Sequence, residues 1–361
     1  WDNSENIERI LALRHEAAGL VGFDNYAEYS LATKMAETPA QVLEFLRELA
    51  GHSREAAEHE LAELTEFAGM QLEAWDLTYW LEKFKQDRYS ISNEELRAYF
   101  PAITVKEGLF ALASQLYDVE LSPNDAVSTW HEDVRYYDVR QNGELLGGFY
   151  TDLYARNGKR AGAWIDECVT RQVLNGYRAL PVGYLVCNFP PADVDGVSLL
   201  THTDVVTLFH EFGHMLHHLL TRVDFPSVSG INGVPWDAVE LPSQFMENFA
   251  WNYDVLTRCS SHDQTNEPLP RDLFDKLDAS RHAGAALAML RQIELSLFDF
   301  RIHTEYDPDN PVAVLQTLDE VRDEVALIRH PDINRLPHAF SHIFGGGYAA
   351  GYYSYKWAEV L

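Results

Sequence analysis

Apolar residues recur at three- and four-residue steps from Ile7 to about Ala68, first as Ile10, Leu13, Ala17 and Leu20, then as Val42, Phe45, Leu46 and Leu49. That spacing lays one apolar stripe along a helix, so the region is predicted helical. Thr38-Pro39 ahead of the second run reads as a cap followed by a first-turn proline. Trp75 to Gln86 is expected to form another helix, and Pro101 to close a further short one. Between Val127 and Cys187 the texture becomes alternating, β-branched and aromatic, with Val134–Val139 and Leu145–Tyr150 flanking the hairpin signal Gln141-Asn142-Gly143. A second turn at Arg156-Asn157-Gly158 leads into Lys159–Trp164, where Gly162 and Ala163 would let another backbone approach. Two readings stand for that stretch: a short edge strand, or an edge that pairs with an extended peptide.

After Pro190-Pro191 the pattern is helical again, with long apolar-periodic segments starting at Val205, Leu241, Leu273, Ala283 and Val312. The polar Ser260–Pro270 stretch reads as a connection between helices. No repeat, low-complexity tract or domain boundary stands out, so one domain over 1–361 is expected, mainly α with a small sheet.

Composition narrows the partners. The chain has 361 residues, 46% of them hydrophobic, which suffices for a large core. With 28 basic against 56 acidic residues its formal charge is −28, a field that repels phosphate backbones and anionic lipid. Nucleic acid and membranes are therefore not expected as partners. Cys168, Cys187 and Cys259 are too few and too scattered for a disulfide framework or a cysteine zinc site. A soluble, cytoplasmic, monomeric protein is expected. The opening at Trp1 and the stop inside GYYSYKWAEVL read as cuts, so a segment of a longer chain is expected.

The chemistry concentrates at His210-Glu211-Phe212-Gly213-His214, where helical periodicity is already running. Residues four apart lie about 40° apart around a helix, so both imidazoles face one ion. Zinc takes such nitrogen ligands, and its catalytic sites use three protein groups and leave a place for water. Glu211 flanks the pair and can take that water's proton. Asp237, Glu240 and Glu247 are candidates for the third ligand. Glu240 is favoured because it sits just before Pro242 at a helix start, where a carboxylate is electrostatically stable. Ser243 and Glu247 follow on the same helical face and can orient the ligands, although Glu247 reads equally as an ordinary carboxylate. His217 shares the face of His210 but lies nearly two turns along, too far for the same ion; for it and His218, core contacts or contacts behind the ligands are expected.

Phe209–His218, FHEFGHMLHH, followed by SGINGVPWDAVELPSQFMEN, resembles the thimet-oligopeptidase family of zinc metallopeptidases, and most of all its oligopeptidase A branch. The likeness runs from WDNSENIERILALRHE through SLATKMAETPAQVLEFL to PHAFSHIFGGGYAAGYYSYKWAEVL. It implies a zincin-like helical metallopeptidase lobe with a small sheet near the active site and a deep channel for short, unstructured peptides. It also implies one Zn2+ per chain on His210, His214 and Glu240, with Glu211 as base. The family's glycine-rich loop and tyrosines match Gly345, Gly346, Gly347, Tyr348, Tyr352 and Tyr355, with His342 just upstream. Tyr355 and Tyr348 are thereby expected to donate to an oxyanion or to substrate, His342 to assist, and Gly346, Gly347 and Tyr352 to bind substrate with Gly162 and Ala163. As a bare pattern the tyrosine run reads as core packing.

The function expected is metalloendopeptidase cleavage of internal bonds in short peptides. A dipeptidyl carboxypeptidase sharing the metal motif and a catalytically inactive metal- or peptide-binding helical module are the alternatives.

Overall fold

The computed structural model describes residues 2–192, 196–309 and 314–361. In chain order its helices begin with α1 (Ser4–Leu20), α2 (Tyr26–Leu31), α3 (Pro39–Ala68), α4 (Leu77–Tyr89), α5 (Asn93–Arg97) and α6 (Ala102–Tyr117). The strands follow as β1 (Glu120–Pro123), β2 (Arg135–Gln141), β3 (Glu144–Tyr154), β4 (Trp164–Val169), β5 (Gln172–Leu174), β6 (Tyr177–Ala179) and β7 (Val182–Phe189). The remainder is α7 (His202–Leu219), α8 (Leu241–Glu247), α9 (Tyr253–Arg258), α10 (Arg271–Ala279), α11 (Ala285–Thr304), α12 (Val314–Val325), α13 (Ser341–Phe344) and α14 (Ser354–Val360). The fold is mainly α with a small mixed sheet, as the patterning predicts. Among the described residues no helix is long and apolar enough to cross a membrane.

The chain divides into two compact units. One comprises Trp1–Arg88, Pro235–Val239 and Ser280–Leu361, the other Tyr89–Val234 and Glu240–Ala279.

In the first unit, α3 starts where Thr38 Oγ1 accepts the Gln41 N–H at 3.2 Å and ends where Gly69 turns left-handed at φ +67°. Its stripe of Val42, Leu46, Ala50 and Ala57 packs with Leu290, Ile293, Leu297 and Phe300 of α11. Each such fully buried large side chain contributes about 1.5–3 kcal/mol. Being buried on most sides, α11 must also satisfy its polar groups internally. Glu294 accepts from Arg291 at 2.6 Å and Arg322 at 3.0 Å. Asp299 accepts the backbone N–H groups of Ala350, Gly351 and Tyr352 at 2.9–3.0 Å.

In the second unit the sheet order is β1-β2-β3-β7-β4, with β3 and β7 parallel and the other pairs antiparallel. Asn142 and Gly143 take φ of 52° and 79° between β2 and β3, the left-handed pair that a two-residue hairpin needs. One sheet face, with Val139, Phe149 and Leu185, shares a core with Val105 and Leu109 of α6 and with Leu208, Phe212 and Met215 of α7. Gly183 lets α7 lie close on that face, since a Cβ there would fall 2.6 Å from Met215 Sδ.

Three expectations need correction. The short helix before Pro101 ends at Arg97, and Pro101 instead stands at the cap of the 16-residue α6, where a residue without N–H costs nothing. Strand structure starts only at Trp164, because the Lys159 ammonium turns inward onto Asp152 Oδ1 at 2.9 Å and the Cys187 carbonyl at 2.5 Å, and Gly162 adopts φ +102°. The long segment expected from Leu241 is broken: α8 has seven residues, a 3-10 turn follows, and Asn252 caps α9 through the Val255 N–H at 3.2 Å. The start at Val312 lies outside the described residues, and α12 is described from Val314.

Candidate active site

A reciprocal cap opens α7: Thr201 Oγ1 accepts the Asp204 N–H at 3.1 Å, and Asp204 Oδ2 accepts the Thr201 N–H at 2.9 Å. The helix buries Leu208, Phe209, Phe212 and Met215 in the core and carries His210 and His214 one turn apart, their ring centroids separated by 5.0 Å. α8 comes against it at Gly213, where a Cβ would lie 2.5 Å from the Pro242 oxygen and 2.7 Å from Ser243 Cα. The glycine of the motif is therefore a site of close helix approach, a role its place in the sequence did not announce.

That approach brings Glu240, buried at 1% exposure, to the histidines. Its Oε2 is 3.2 Å from His210 Nε2 and 3.0 Å from His214 Nε2. The three ligand atoms all lie within 4.8 Å of one another. Ligands on a tetrahedral zinc with bonds of about 2.0–2.1 Å are roughly 3.3 Å apart, so two imidazoles and this carboxylate fit the ion in spacing and chemistry.

Neighbouring groups set the ligands' orientation. Glu247 Oε1 accepts from His210 Nδ1 at 2.7 Å, which directs the Nε2 lone pair toward Glu240's side of the ring. Ser243 Oγ lies 3.0 Å from Glu240 Oε2 and 2.8 Å from its carbonyl oxygen. Burial opposes the charged form of His210, yet the hydrogen bonds to Glu240 and Glu247 outweigh it and raise the ring to about 10. Burial likewise opposes Glu240 ionisation and is overcome by both histidines, leaving the carboxyl well below its usual range. A cation here would displace the proton that the His210 ring otherwise holds. Glu211 is buried at 6% exposure, and burial lifts its carboxyl to about 6, against the pull of His210 and His214.

The other candidates fall elsewhere. Asp237 is taken up by the N–H groups of Met35 and Ala36 and by the Tyr353 hydroxyl, and is not in the ligand group. His218 Nε2 sits 3.2 Å from the carbonyls of Val169 and Val182, tying α7 to β4 and β7. His217 is pushed down by burial. Gly162 and Ala163 lie on the loop entering β4, the sheet edge, and nothing within 4 Å faces the place of a Gly162 Cβ.

The terminal motif folds within the first unit. Tyr348 and Tyr355 stack at 5.0 Å with an interplanar angle of 14°, and His342 lies 5.5 Å from Tyr352 and 6.5 Å from Tyr355. Tyr352 is buried beside Phe340 and hydrogen-bonds Gln292 Oε1 at 3.2 Å. Gly347 accommodates the Trp236 ring, 2.7 Å from where its Cβ would be, and Gly346 has the His342 carbonyl at 2.8 Å. Sequence reasoning missed Asp299, whose carboxylate holds this tyrosine turn through three backbone bonds; its only local signal is an acid inside an apolar helical run.

The family model for peptidase family M3 matches residues 1–361. The chain belongs to peptidase family M3. This M3 chain is 53% identical to oligopeptidase A of Escherichia coli (strain K12), an alignment covering 100% of the chain and 54% of that protein. Organellar oligopeptidase A of Arabidopsis thaliana is 43% identical, with 100% and 47% covered, and the Escherichia coli dipeptidyl carboxypeptidase 33% identical, with 100% and 54% covered. The chain thus spans about half the length of these curated relatives. In fold it resembles a solved structure titled PZ peptidase A with inhibitor 2, at a TM-score of 0.56 and 16% identity, over 99% of this chain and 55% of that one.

Proposed function

We propose that this M3 chain carries the zinc centre and general base of a metalloendopeptidase that cleaves internal bonds of short, unstructured peptides. The observation that carries the reading is the convergence of His210, His214 and Glu240, with ligand atoms within 4.8 Å of one another. One zinc ion held by these three groups supplies Lewis acidity toward a carbonyl and makes a nearby water more acidic.

The chain's own residues do the rest. Glu211 takes the proton of the attacking water and delivers it to the leaving amine, a task suited to a carboxylate lifted toward neutrality by burial. Glu247 and Ser243 keep His210 and Glu240 aimed. Tyr355 and Tyr348 donate hydrogen bonds to the oxyanion, with His342 assisting. Gly346, Gly347 and Tyr352, together with Gly162 and Ala163, contact the peptide backbone. The protein acts as a cytoplasmic monomer.

Identity of 53% to oligopeptidase A against 33% to dipeptidyl carboxypeptidase supports the endopeptidase over the alternative. Purified chain should bind one zinc, and Glu211→Gln should keep the metal while losing hydrolysis of a fluorogenic peptide. Interior cleavage of a C-terminally amidated peptide is expected. Removal of dipeptides from free C-termini alone would select the carboxypeptidase, and full turnover by Glu211→Gln would overturn the base assignment.

A further inference from the structure

Three arginines meet at one cavity, and all of its lining belongs to the second unit. Arg171 comes just before β5, Arg178 lies on β6, and Arg222 follows the end of α7. β5 and β6 pair with Val173 opposite Arg178, and the Val173 N–H donates to the Asp224 carbonyl at 3.0 Å, so this hairpin is tied to the segment after α7. The cavity measures about 380 Å³, within the size range of small-molecule pockets. The whole chain has 28 basic residues against 56 acidic ones, yet this lining has three arginines and a single acid, Glu144. The local balance is thus the reverse of the overall one, even with Asp224 beside Arg171 counted against it.

The three guanidinium groups are lightly engaged. Arg171 donates through Nε to Asp224 Oδ1 at 2.8 Å, which steadies the side chain and leaves its two terminal nitrogens for another acceptor. Arg222 donates to the neutral amide oxygen of Gln141 at 3.3 Å, and Gln141 is itself held by its Nε2–H on the Tyr117 carbonyl at 3.0 Å. Arg178 faces Glu144 at 4.0 Å with the two side chains 51% and 74% exposed, a pairing that water weakens to almost nothing. Among the described residues none of the three donates to the carbonyls that end α7, the other use for a cation at that place. Guanidinium forks match oxyanions, and a phosphate group offers three terminal oxygens to three arginines where a carboxylate offers two. Tyr117, Leu146 and Leu219 add an apolar wall on which an organic substituent would rest.

We propose that Arg171, Arg178 and Arg222 form an anion site that takes a phosphate group, carried either by free phosphate or by a small phosphate monoester. The site stands apart from the zinc reading and does not depend on it. The test is calorimetric titration of the zinc-loaded protein with inorganic phosphate, phenyl phosphate and benzoate, at an ionic strength held constant with chloride. Both phosphates should bind saturably at one site per chain, and benzoate more weakly than either. Tighter binding of phenyl phosphate would identify the monoester as the ligand, and equal binding the free ion. Arg178→Gln and Arg222→Gln should each weaken phosphate binding by about 10-fold or more, the loss expected for a hydrogen bond to a charged group.

Both of those side chains are exposed, so the variants should keep the wild-type melting temperature. If the double variant does not fold, the single ones decide. Phosphate affinity unchanged in the folded variants, or benzoate bound as tightly as phenyl phosphate, would overturn the proposal. So would phosphate binding that disappears on chelation with the arginines intact, since the anion would then sit on the metal.

Discussion

Glu247 reaches from the last turn of α8 to within 2.7 Å of Nδ1 of His210 on α7, so each of the two packed helices supplies one partner of a charge-assisted hydrogen bond. The bond fixes which ring nitrogen carries the proton and which is left to coordinate. Glu247→Ala should therefore lower zinc affinity by about 10- to 100-fold. Glu247→Gln retains an accepting oxygen and should cost less. Chelator competition checks both, and equal affinities for wild type and the alanine variant would leave Glu247 an ordinary carboxylate.

In the role proposed for it, Glu211 can take a proton only when charged. Burial raises its carboxyl from the usual range to about 6, so the charged fraction, and with it kcat/KM, should fall as pH drops through that region. A dication held by the neighbouring histidines favours the carboxylate and places the acid limb at or below about pH 6. A pH–rate profile measures it. If the residual activity of Glu211→Gln keeps the same acid limb, the titrating group is another residue.

Gly213→Ala should strain the contact between α7 and α8. The added carbon would sit 2.5 Å from the Pro242 oxygen, and backbone atoms cannot swing aside as a side-chain tip can. Overpacking of this kind costs about 1–3 kcal/mol. The denaturant midpoint of chelator-treated protein should fall accordingly, and zinc affinity with it as Glu240 is carried away from the rings. An unchanged midpoint would show that the helices separate freely.

Asp299→Ala strips the acceptor from three backbone N–H groups in a buried turn. Each unsatisfied buried donor costs about 1–3 kcal/mol. Thermal unfolding should therefore come at a clearly lower temperature, while zinc affinity, read by chelator competition, should change little because Asp299 lies outside the ligand group. A loss of zinc binding larger than the loss of stability would contradict this division of roles.

Much of this was legible in advance because it is local. The Thr38 cap, the Asn142-Gly143 turn and the pairing of His210 with His214 each join positions no more than four apart, so residue type and spacing suffice to read them. Other local signals were passed over: Asn175-Gly176, with φ of 53° and 78°, joins β5 to β6 as Asn142-Gly143 joins β2 to β3, and the apolar run after Pro101 is a full helix. Those were readable and missed.

The sequence by itself pointed to His210 and His214 on one helix face, to Glu211 beside them, and to a window of acids in which Glu240 was already favoured. The tertiary structure sets Glu240 against the imidazoles as favoured, and it alone decided that Asp237, three residues earlier, turns to Met35, Ala36 and Tyr353. It likewise decided that Gly213 is a contact point and that Asp299 holds a turn 51 to 53 residues away. A carboxylate's destination depends on which donors long-range packing brings within about 3 Å of it, and no spacing along one stretch of chain encodes the position of the other.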